Sequence, residues 1–246
     1  MQDKGAATSG DISLITFEMI FPEAFMAGSE LKKDSSNAPW VRGVCKVITK
    51  NPQKEGANYG TGFLLKFSDT KNSPVRGFLT CYHVATCDDI TLEEPNKINL
   101  YFQSLDQTSN LTEIQKPGCG PILNQNTDFY FMMLSNEFCE EMVNKHGVQF
   151  IESTESITDD PIRVPQHPGG KERHIATATI DPNWKVEKKQ NWHRASTERG
   201  SSGSPLLQKQ GDEMRVIGIN RGYDPNRELN GAVSIYGIIN QIKSKI

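Results

Sequence analysis

The chain has 246 residues, 36% of them apolar, and a formal net charge of −3. That length admits one large all-β domain or two smaller ones with a substantial core; the charge gives no electrostatic case for nucleic-acid binding; and no apolar run reaches the roughly 18 residues of a membrane-spanning helix, so no membrane partner is expected. Residues 1–10 carry no apolar signal core, which makes the cytoplasm the expected location, and the odd cysteine count of five favours reduced thiols.

Residues 1–38 read as a lead or accessory segment, with an apolar stretch at 12–25 broken by Pro22 and a polar run at 29–37. The body is expected over residues 39–246. Val41, Val44 and Val47 mark the first expected strand within residues 39–49, and residues 61–67 a second beyond a turn-rich loop. Residues 69–74 form a turn before the apolar run 77–82, which ends at His83. Cys81 and Cys87 flank that histidine. They could be a disulfide or metal ligands, but without a C-x-x-C pair two small apolar side chains are the default. Asp88 and Asp89 read as loop residues.

Residues 98–102 alternate as a strand, and Cys119-Gly120-Pro121 is a turn. Asp128 stands directly before five apolar residues, 129–133, and is a candidate for a partly buried carboxylate. Residues 137–146 read as a short helix joining two halves, 39–136 and 148–246. Residues 185–194 are basic but interleaved with an acid and read as a solvated loop. The stretch 199–207 places Ser202 in the frame G-x-S-G-S-P, with Ser201 and Ser204 as weaker competitors. Glycines on both sides allow the tight turn that exposes a nucleophilic hydroxyl beside free backbone N–H groups. The chain closes on Ile235, Ile238, Ile239, Ile242 and Ile246, the stripe of an amphipathic helix. Short strands punctuated by Gly and Pro otherwise indicate an all-β barrel or sandwich.

His83, Asp128 and Ser202 in this order supply a base, an orienting acid and a nucleophile. The three segments resemble those of the chymotrypsin-like serine peptidases, nearest to the compact branch of the bacterial glutamyl endopeptidases and high-temperature-requirement proteases. G-T-G-F-L-L at 60–65, V-P-Q-H-P-G-G at 164–170 and V-I-G-I-N-R-G at 216–222 extend the likeness from about Pro39 to the C-terminus. The resemblance implies a double six-stranded β-barrel with a C-terminal α-helix, and serine endopeptidase activity on protein or peptide substrates. It implies no cofactor and no metal. His83, Asp128 and Ser202 would be catalytic, with the backbone N–H groups of Gly200 and Ser202 forming the oxyanion hole.

Two departures from the family pattern matter. Ser201 stands where the trypsin branch has an aspartate that pairs with a newly cut N-terminus, so maturation without such an insertion is expected. Thr197 matches a pocket threonine of the glutamyl endopeptidases, but Asn220 replaces their pocket histidine, leaving Arg221 or Arg199 to supply positive charge. Thr197, Asn220 and Arg221 are thus the candidate specificity residues. Acidic, amide and small polar side chains before the scissile bond all stay open, and a basic preference is disfavoured. The rival expectation is a catalytically silent or switchable protease-like scaffold that binds a protein partner, with residues 1–38 as the blocking element.

Overall fold

The computed structural model describes residues 30–33, 38–50, 56–87, 97–185 and 190–246. The apolar stretch at 12–25 and the acids Asp88 and Asp89 lie outside them. Strand β1 (Glu30–Lys33) is treated with the second sheet below. The first sheet is built from β2 (Val44–Lys50), β3 (Asn58–Ser68), β4 (Pro74–Thr80), β5 (Lys97–Phe102), β6 (Gln107–Asn110), β7 (Ile122–Asn124) and β8 (Phe129–Met133). Their spatial order is β6-β5-β2-β3-β4-β8-β7, and β9 (Ile151–Glu152) lies parallel to β3. The second sheet adds β10 (Ile162–Gln166), β11 (His174–Ala178), β12 (Asn191–His193), β13 (Pro205–Gln210), β14 (Glu213–Asp224) and β15 (Leu229–Ser234), in the order β1-β11-β10-β13-β14-β15-β12.

Both sheets are antiparallel apart from β9. Among the described residues they hold eight and seven strands. Residues 30–33, expected to be lead or accessory, form an edge strand on β11. Ile151 and Glu152, expected in the second half, join the first sheet. Both additions are short pairings that local periodicity does not reveal.

The larger core fills the first sheet and continues through Leu207, Val216, Ile219 and Val233 to the C-terminal helix. A smaller core holds Ile162, Val164, Leu206, Ile217 and Ala232. Adjacent residues Leu206 and Leu207, like Val216 and Ile217, send their side chains to different cores, as the period of two in a strand requires.

Helix α1 (Pro39–Arg42) corrects the expected first strand: Pro39 opens a helical turn that buries Val41, and the strand starts only at Val44. Next come α2 (Tyr82–Thr86), α3 (Leu111–Ile114) and α4 (Asn136–Glu140), the last capped by Ser135 Oγ and prolonged through Lys145 by a wider helical turn. This element occupies the place of the expected joining helix. Helix α5 (Ile235–Lys243) buries Ile235, Ile238, Ile239 and Ile242. The stripe ends there, because the helix stops at Lys243 and Ile246 lies exposed beyond it.

Candidate active site

His83 is the second residue of α2, three residues beyond the end of β4 rather than on the strand. Val84 and Ala85 are buried in the core and anchor this turn, while the His83 side chain keeps 23% of its surface accessible. Asp128 caps the start of β8. It takes φ +55°, a left-handed conformation that Asp tolerates better than most residues, and its N–H returns to the Gln125 carbonyl. That turn directs the buried carboxylate at His83.

The contact is threefold. His83 Nδ1 lies 2.9 Å from Asp128 Oδ2 and 3.1 Å from Oδ1, and the His83 backbone N–H donates to Oδ1 at 3.1 Å. An ionised carboxylate only accepts hydrogen bonds, so Nδ1 carries the proton and Nε2 presents its lone pair. Burial acts to raise the Asp128 pKa, but the attraction of His83 and Arg221 and the hydrogen bonds from His83 outweigh it, and the carboxyl is held below its ordinary range.

Ser202 lies on a loop that packs against both sheets. Its Oγ donates to the Arg221 carbonyl at 3.1 Å, and its own carbonyl accepts from Thr61 N at 2.9 Å. The flanking glycines are required: Gly200 has φ +94° and Gly203 φ +86°. A Cβ on Gly203 would lie 2.1 Å from the Thr61 carbonyl oxygen and 2.3 Å from Thr80 Oγ1, so the serine loop is pressed onto the strand that leads to His83. Thr61 Oγ1 donates to the Gly200 carbonyl at 2.8 Å and accepts from His167 N at 3.0 Å, while Gly169 N donates to the Arg199 carbonyl. These bonds hold the carbonyls of the loop. Among the described residues the Gly200 N–H donates to no protein acceptor.

Ser201, the residue without the expected family acid, is fixed by neutral groups. Its Oγ accepts from Glu198 N, and its carbonyl accepts from Ser204 N, Ser204 Oγ and Asn220 Nδ2. Asn220 is fully buried. Its Oδ1 meets His193 Nε2 at 3.0 Å, and His193 Nδ1 in turn accepts from Ala195 N. The imidazole is therefore a neutral Nε2–H donor, and burial lowers its pKa to about 4.

The candidate specificity residues thus separate. Thr197 Oγ1 donates to Asn230 Oδ1 at 2.9 Å, and Asn230 Nδ2 donates to the Ala195 carbonyl. Both ends of the Asn220 amide are hydrogen-bonded inside the protein, Oδ1 to His193 and Nδ2 to the Ser201 carbonyl. Arg221 donates its Nε to Asp128 Oδ2 at 3.2 Å. Sequence reasoning missed His193 and Asn230, and placed residues 185–194 in a solvated loop although Asn191 and His193 are buried on β12. Three alternating residues inside a charged segment give too weak a signal for a strand.

All five cysteines are free. Cys81 Sγ, with His83 and Asp128, brings three potential metal-donor atoms within 4.8 Å. Their hydrogen bonds already occupy them: the thiol donates to the Asn220 carbonyl, and Nδ1 to the carboxylate.

The family model described as lysyl endopeptidase, C-terminal domain, matches residues 29–222. No curated protein sequence matches the chain significantly. Among solved structures, a Glu endopeptidase in complex with MPD aligns at TM-score 0.58 and 14% identity over 87% of this chain and 95% of its own. The active form of the Rv3671c protease from M. tuberculosis aligns at TM-score 0.56 and 18% identity, over 82% and 79%. Protease Anisep from Arthrobacter nicotinovorans aligns at TM-score 0.56 and 12% identity, over 88% and 100%. At these identities the structural likeness establishes the chymotrypsin-like double β-barrel fold. The family match covers well over half of the sequence, and on that ground the chain belongs to the lysyl endopeptidase C-terminal domain family of chymotrypsin-like serine proteases.

Proposed function

We propose that this protein is a serine endopeptidase that cuts its substrate through an acyl-enzyme. The observation that carries the reading is the threefold grip of Asp128 on His83 through ring and main chain, which leaves Nε2 as a base. In the first half-reaction Ser202 Oγ attacks the scissile carbonyl carbon while its proton passes to His83 Nε2. The negative charge gathers on the former carbonyl oxygen, opposite the N–H groups of Gly200 and Ser202. Loss of one such donor costs about 3 kcal/mol of transition-state stabilisation. The imidazolium, stabilised by Asp128, then gives its proton to the departing amine. In the second half His83 Nε2 takes a proton from water, the hydroxide attacks the acyl carbon, and Ser202 leaves with that proton restored.

The Ser201 contacts support a loop that needs no new N-terminus to order it, since neutral hydrogen bonds stand where an ion pair would be. Fluorophosphonate labelling with intact-mass and peptide mapping tests the proposal without knowledge of the substrate. The expected result is a single adduct on Ser202 that is absent from Ser202→Ala. A folded wild type that takes no label overturns the reading and leaves the protein a protease-like binding scaffold.

A further inference from the structure

We propose that Arg221 is a positioning residue of the catalytic site, one that sets the proton affinity of His83 through Asp128. The proposal rests on the triad reading above. Arg221 lies in a β-bulge: in β14 Asn220 pairs with Ala232 and Gly222 with Gly231, which leaves Arg221 as the extra residue. A bulge re-aims the side chain of its unpaired residue. Here it sends the backbone carbonyl of Arg221 to Ser202 Oγ and its guanidinium to Asp128. One residue thereby touches both the proposed nucleophile and the orienting acid.

The two donors on Asp128 Oδ2, Arg221 Nε at 3.2 Å and His83 Nδ1 at 2.9 Å, compete for the same negative charge. Among the described residues the ionic groups acting on Asp128 are His83 from α2 and Arg221 from β14, and the neighbouring Cys81 thiol is a neutral donor to the Asn220 carbonyl. A cation fixed on the carboxylate holds it in place and ionised, and it also makes a second cation on the imidazole less favourable. Arg221 therefore keeps His83 neutral, and able to act as a base, at lower pH than an isolated Asp–His pair would.

Replacing the cation by an amide should raise the proton affinity of His83. In Arg221→Gln the acid limb of kcat/KM should move up by about half a unit to one unit, while Arg221→Lys keeps the charge and holds the limb near its wild-type place. A purely structural role would lower activity at every pH without moving the limb. The companion measurement is NMR titration of the His83 imidazole in folded wild type and both variants, which needs no turnover. An upward shift in Arg221→Gln supports the coupling even if the protein cleaves nothing, so that the peptidase reading fails separately. An unmoved His83 titration in folded Arg221→Gln overturns the proposal. Should that variant not fold, an upward-shifted His83 titration in Arg221→Lys overturns it, because the charge is retained there.

Discussion

At the residue scale the central element is one carboxylate with several donors. Asp128 takes the His83 ring and main-chain N–H and the Arg221 guanidinium, and its surroundings are otherwise closed to water. Asp128→Asn keeps the shape but places an amide where three donors converge, so the imidazole loses the acceptor that fixes its tautomer. The expected outcome is a drop in kcat of roughly 10⁴-fold with KM little changed, read by steady-state kinetics on a cleavable peptide. A loss below about tenfold would remove Asp128 from the machinery. The sequence marked this aspartate because an acid directly before an apolar strand is a conspicuous local pattern. It could not mark the partnership with Arg221, which joins residues 93 positions apart and depends on a bulge that has no sequence signature of its own.

Among the elements, the loop from Arg199 to Ser204 shows how backbone stereochemistry makes a site. Its carbonyls are tied to Thr61, Gly169 and Asn220, and its turns depend on left-handed glycines. Gly203→Ala would put a Cβ 2.1 Å from a main-chain oxygen at φ +86°, so no flexible side chain can yield to it. A loss of more than about 2 kcal/mol of stability is expected by urea unfolding, together with slower fluorophosphonate labelling. Gly211→Ala is the control: φ is +62° there, but nothing lies within 4 Å of the added carbon, and about 1 kcal/mol is expected. Equal effects would mean that contact with Thr61 and Thr80 does not shape the loop. The glycines were legible in the sequence because only they fit such turns. The carbonyls' partners were not, since Thr61, Gly169 and Asn220 lie on other elements and only the packed sheets bring them to the loop.

For the whole molecule, two buried neutral histidines give stability a dependence on pH. His167 and His193 both have pKa values lowered by burial from 6.5 to about 4. The unfolded chain therefore binds protons between those values that the folded protein refuses. Stability is full above pH 6.5, falls as pH drops towards 4, and levels off below that as far as these two groups are concerned. Each contributes about 3 kcal/mol to that fall by linkage. Urea unfolding at pH 7.5, 5.5 and 4 measures it, and a flat profile over that range would contradict neutral burial of both rings. In sequence His167 sat in a proline/glycine turn and His193 in a charged loop, and neither position foretold a closed interior.

What the sequence determined by itself is local and ordered. It set which serine carries glycines on both sides, which histidine follows an apolar strand, which acid precedes one, and the period of the closing isoleucines. These features depend on turn stereochemistry and on repeats of two or 3.6 residues, which a chain carries without knowing its neighbours. The tertiary structure alone decided the partners: that Asn220 turns to His193 and Ser201, that Thr197 meets Asn230, and that the Arg221 Nε meets Asp128. Those contacts require sheet order, strand register and one bulge to be fixed together. A side chain's hydrogen-bond partner depends on where distant strands lie, and only the packed sheets bring those strands within reach.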